Sequence, residues 1–92
     1  MKHIMEQVII STTITENGFD ASCELLPEWF LAFSGNFSEF VQHVRDSIDA
    51  FVNGAKTDHK AYPDVFDTNY ELLFKMDFQG TRGTMSLSYR DV

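Results

Sequence analysis

The stretch NFSEFVQHVRDSIDAFVNG, residues 36–54, decides how the rest of the chain is read. Phe37, Phe40, Val41, Val44, Ile48 and Phe51 recur at spacings of 3, 1, 3, 4 and 3, which is one face of an α-helix. The opposite face carries Glu39, Gln42, His43, Arg45, Asp46 and Asp49. Asn36 can accept from the orphan amides of the first turn, and Glu39 three residues later completes a capping box. Gly54 follows the last periodic residue and is expected to end the helix in a left-handed conformation. One helix with one apolar stripe cannot bury that stripe by itself, so the flanking segments must supply a sheet.

On the N-terminal side, Val8, Ile10 and Ile14 alternate with Ser11, Thr13 and Thr15, the period of a half-buried strand. Asn17-Gly18 is expected to form a tight hairpin turn with positive φ at both residues. The return strand sets Phe19, Ala21, Cys23 and Leu25 against Asp20, Ser22 and Glu24. Pro27 interrupts it, and a third strand over residues 29–33 leads into the helix. On the C-terminal side, residues 55–69 read as polar and irregular, with Tyr62-Pro63 as a breaker. Tyr70, Leu72, Phe74 and Met76 then alternate with Glu71, Lys75 and Asp77, giving a fourth strand. A turn is expected over residues 80–83. Met85, Leu87 and Tyr89 alternate with Ser86, Ser88 and Arg90, which reads as a further strand or a tail.

The expected fold class is α+β: a two-layer sandwich, βββαβ(β), with one helix on an open, mostly antiparallel sheet. The whole of residues 1–92 forms one domain, with its core over about 5–78. Phe37, Phe40, Val44, Ile48 and Phe51 are expected to bury against Tyr70, Leu72, Phe74 and Met76.

Fourteen acidic and seven basic residues give a net charge of −7, and the cations are spread along the chain. That pattern opposes direct nucleic-acid binding, which draws on clustered Lys and Arg. It matches a basic protein partner, because opposite potentials raise encounter rates. A single cysteine, Cys23, forms no internal disulfide and suits a reducing compartment. The N-terminal MKHIMEQVII has neither a signal-peptide core nor a membrane span, so a cytoplasmic location is expected.

Candidate chemistry is sparse. Glu39, His43 and Asp46 share the polar helix face at i, i+4 and i+7, but no second His or Cys cluster completes a metal site. Cys23 falls on the apolar stripe of its strand and reads as a small core residue rather than a nucleophile. Glu24, Glu28, Asp64 and Asp67 are not placed by the sequence as an acid–base pair. The GTRG segment near the C-terminus lacks the strand–loop–helix context of a phosphate loop. No catalysis, cofactor or metal is expected. Trp29 and Phe30 are candidates for an exposed anchor, with core packing the favoured alternative.

Three segments carry a family resemblance: Gly18-Phe19-Asp20-Ala21, the helix entry Gly35-Asn36-Phe37-Ser38-Glu39, and Tyr62-Pro63 followed by Tyr70-Glu71-Leu72-Leu73-Phe74-Lys75-Met76-Asp77. Together with the apolar spacing through Phe51, this pattern resembles the N-terminal domain of HicB-like antitoxins over about four-fifths of the chain. The resemblance implies a βββαβ fold, an abridged relative of the ribonuclease H architecture without its active-site carboxylates. It also implies binding to a small basic ribonuclease toxin and a tendency to form dimers or tetramers. Relatives typically continue into a DNA-binding helix-turn-helix or ribbon-helix-helix, whereas QGTRGTMSLSYRDV has no helical period. Two other classes fit the same residues: a stand-alone immunity or anti-defence inhibitor, and a structural or adaptor domain. For a neutraliser, the expected partner-binding residues are Asp20 and Glu24 on the second strand and Glu39, Asp46 and Asp49 on the helix. Strand edges over residues 8–14 or 85–89 are expected to pair two copies into a homodimer.

Overall fold

The computed structural model describes the backbone of residues 6–78 and 86–91, and side chains of residues 6–77. The elements in chain order are β1 (Glu6–Thr15), β2 (Gly18–Cys23), β3 (Leu26–Phe33), α1 (Phe37–Thr57), a 3-10 turn (Asp64–Asp67), β4 (Tyr70–Phe78) and β5 (Ser86–Asp91). They form the expected α+β arrangement, with α1 on one face of a five-stranded sheet of order β3-β2-β1-β4-β5. β1–β2, β2–β3 and β4–β5 pair antiparallel, and β1–β4 pair parallel.

The parallel pairing follows from the crossover. β3 leads into α1, which spans β2 and β1 and returns the chain as β4 on the far side of β1. β1 is therefore the central strand, and residues 8–14 are not an edge. Among the described residues the edge strands are β3 and β5.

Three local expectations move. The hairpin turn is Glu16-Asn17, one residue earlier than expected, because Thr15 pairs with Gly18. Gly18 has φ 149°, and a Cβ there would overlap the Phe33 carbonyl oxygen, so glycine is required by close approach of β3. The β2–β3 register shifts at Ser22/Cys23 and β2 ends at Cys23, so Leu25 falls in the turn and is exposed while Leu26 takes the core position in its place. β3 begins there and includes Pro27, which an edge strand can hold without losing a ladder bond.

The helix keeps its N-terminal expectation and loses its C-terminal one. The Asn36 side chain accepts from the Glu39 amide at 2.8 Å, and the Glu39 carboxylate accepts from the Asn36 amide at 3.4 Å. Gly54 lies inside the helix, which runs to Thr57. His59, at φ 56°, closes it instead, with its amide on the Lys56 carbonyl (3.2 Å) and the Lys60 amide on the Ala55 carbonyl (2.8 Å). Those two bonds satisfy the last carbonyls as a Schellman closure does, with histidine where glycine is usual.

The core lies between α1 and the sheet. Phe40 is fully buried, stacked on Phe19 at 4.8 Å and edge-to-face on Phe74 at 5.8 Å. Val8, Ile10, Ala21, Cys23, Leu26, Trp29, Leu72, Phe74 and Met76 complete the sheet side, with Val41, Val44, Ile48 and Val52 on the helix. Phe37, Phe51 and Tyr70 are only partly buried, and Val52 takes the inward position expected of Phe51. Residues 58–69 are less irregular than their composition implies, since the 3-10 turn buries Phe66 under the sheet's first β4 residue, Tyr70 (5.2 Å, edge-to-face).

Candidate functional site

The five acidic residues expected to bind a partner do not form one face. Glu39, Asp46 and Asp49 are exposed on α1. Phe19 packs on Phe40, so strand alternation sends Asp20 to the sheet face away from the helix. Glu24 lies in the turn after β2 rather than on it. The helix acids are also engaged locally: Glu39 in the cap, Asp46 accepting from Gln42 Nε2 at 3.0 Å, Asp49 accepting from the Tyr70 hydroxyl at 3.4 Å. Burial first, and then the Asp49 charge, push the Tyr70 hydroxyl above its ordinary pKa.

His43 lies on the Phe33 ring, with centroids 4.5 Å apart, and so covers the apolar end of β3. Among the described residues no group of three or more His, Cys, Asp or Glu could hold a metal ion. Cys23 is 3% exposed, as its place on the stripe implies, and burial pushes its thiol above the usual value. Trp29 is core, with its indole N–H donating to Ser47 Oγ at 2.9 Å, whereas Phe30 is 63% exposed.

α1 covers one face of the sheet. On the other face the register places Ile9 beside Leu73, Ser11 beside Lys75 and Ser22, and Ser22 beside Phe30. Ile9 (42% exposed) on the central strand and Phe30 on the edge strand β3 therefore share this face, with Ser11 and Ser22 between them. Glu71, an alternating polar residue in the sequence, is only 2% exposed on this side, and Gln7 Nε2 donates to its Oε1 at 2.9 Å. A buried carboxylate in an alternating strand has no local sequence signal.

A second surface lies at the C-terminal end of the helix, where the β2–β3 turn, α1 and residues 60–63 enclose an apolar groove of about 520 Å³. Residues 60–63 are held by the Tyr62 hydroxyl, which donates to Asp67 at 2.9 Å, and by the Lys56–Asp67 ion pair at 3.1 Å. The Tyr62 hydroxyl, and then the Lys56 ammonium, hold Asp67 below the usual carboxylate range. Asp67 in turn raises both Tyr62 and Lys56. This cluster is solvent-exposed, so it orients the loop more than it stabilises the fold.

No family model matches the chain, and neither a curated protein nor a solved structure is significantly similar to it. No helix among the described residues is long and apolar enough to cross a membrane.

Proposed function

We propose that the protein is a non-catalytic binding domain that occupies a small basic protein, as a HicB-like neutraliser does. The observation that carries this reading is the one-sided sheet. α1 packs on one face, while among the described residues the other presents Ile9 on the central strand and Phe30 on the edge strand β3, in a chain of net charge −7. Exposed aromatic and aliphatic anchors on a rigid strand scaffold supply contact area, and the negative charge supplies steering. The βββαβ order on an open sheet is the layout that the HicB-like resemblance implies. Asp20 lies on the same sheet face as the anchors, and Glu24 lies in the turn after β2. The helix acids contribute to the long-range field.

A free strand edge also offers its amides to a second copy, and β3 replaces residues 8–14 in that role. A homodimer formed through β3 extends the sheet and sets two bare faces side by side. The same surface serves an immunity or anti-defence inhibitor, which differs only in the effector it occupies.

The test is capture of bound proteins by the tagged full chain in its native cell. The reading expects a stoichiometric small basic protein whose retention is lost in Phe30→Ser. Recovery of the chain with no basic protein in stoichiometric amount overturns it.

A further inference from the structure

We infer that the groove at the C-terminal end of α1 is a docking site for a short segment of a basic protein. The segment is one in which a large apolar side chain is flanked by Lys or Arg. This inference rests on the basic-partner reading and names a contact distinct from the bare sheet face.

The groove's floor is Ala50 and Gly54 on successive turns of α1, and its walls are Leu25 and Pro27 on one side and Tyr62 on the other. Leu25 is 42% exposed there, in the turn between β2 and β3, so the groove carries a large aliphatic side chain that the fold leaves partly uncovered. Gly54 is the second observation. It sits in the helix interior without positive φ, and a Cβ built on it meets nothing within 4 Å. Glycine at such a position weakens a helix relative to alanine. Nothing among the described residues requires it, whereas an incoming chain that approaches the helix backbone does.

The charge around the groove selects the occupant. Glu28 and Asp58 line it. Among the described residues, one lining cation, Lys60, stands against these two carboxylates. A basic residue beside the inserted apolar one meets Glu28 or Asp58 at the rim, and an acidic one is repelled. The two residue types on the ligand thus correspond to the two zones of the groove.

The experiment is amide NMR of the full chain titrated with two capped peptides, Leu-Lys-Leu-Arg and Leu-Glu-Leu-Glu. The basic peptide is expected to shift the amides of Gly54, Ala55 and Ala61, and to bind at least about tenfold more tightly than the acidic one. Gly54→Leu fills the floor and is expected to weaken binding about tenfold, with melting no lower than that of the natural chain. Leu25→Ser removes a wall without touching the core and gives the same loss. Shifts confined to Ser11, Ser22 and Phe30 overturn the groove while leaving the basic-partner reading standing. Equal binding of the two peptides, or binding of neither, also overturns it, and the capture experiment then decides the basic-partner reading by itself.

Discussion

Replacing Phe40 by alanine is the severest single test of the packing. Phe40 is 0% exposed and makes ring contacts with Phe19, Phe33, Phe37 and Phe74, so it joins α1 to β2, β3 and β4 at once. Truncation of a buried phenylalanine costs about 3–5 kcal/mol, the lost transfer energy plus that of the cavity left behind. The upper end is expected, because loss of the ring also removes the stacked and edge-to-face pairs, each contributing roughly 0.5–1.5 kcal/mol. At about 0.05–0.15 kcal/mol per residue, 92 residues give a total stability of only about 5–14 kcal/mol. Urea unfolding followed by circular dichroism reads the change. With m near 1–1.5 kcal/mol/M, the midpoint should fall by at least about 2 M. Phe30→Ala is the control, since that ring is 63% exposed and its loss should stay within about 0.5 kcal/mol. A Phe40→Ala midpoint within about 0.5 M of the natural chain refutes the packing of α1 on the sheet.

Three further outcomes follow from local geometry. Gly54→Ala should raise stability by about 1 kcal/mol, and His59→Gly by about 0.5–1 kcal/mol, because the first relieves a helical glycine and the second a left-handed histidine; chemical denaturation measures both. Thr12 is 1% exposed with its hydroxyl unpartnered, so Thr12→Val should be neutral or stabilising by up to about 1 kcal/mol, and a loss of stability would show that the hydroxyl is satisfied after all. Cys23, buried and raised above its ordinary 9.0, should resist alkylation in the native state; since the unfolded thiol ionises first, its contribution is full below about pH 9 and fades as pH rises towards the folded value, a fall that Cys23→Ala should lack.

What the sequence made legible is what short-range physics encodes. The spacing from Phe37 to Phe51 and the Asn36–Glu39 pair mark the helix and its start, and alternation over most of their length marks β1, β2 and β4. Strand order is not local. Nothing in residues 8–14 states that β4 will lie parallel beside them, and only the crossover through α1 settles it. The helix end was misplaced because Gly54 is the usual closing residue while His59 takes the closing conformation here. Leu26 takes the core place that alternation gives to Leu25, because β2 ends at Cys23 and Leu25 falls in the turn before β3. The acidic site suffers from the same nonlocality. Asp20 and Asp46 look equivalent as exposed acids in the sequence, yet the sheet lies between them, since Asp20 projects from the side opposite α1. The groove at Gly54 has no linear signature, because its walls come from residues 25–28 and 60–63.

The central claim is that this chain holds a basic protein by charge-steered contact. Its most direct test is light scattering of the purified complex between the full chain and the protein it captures, across a salt series from about 50 to 500 mM. The account predicts a defined complex with one basic chain per copy at low salt, dissociating progressively as salt rises. A strictly monomeric chain at every salt concentration, with no basic protein bound, contradicts it.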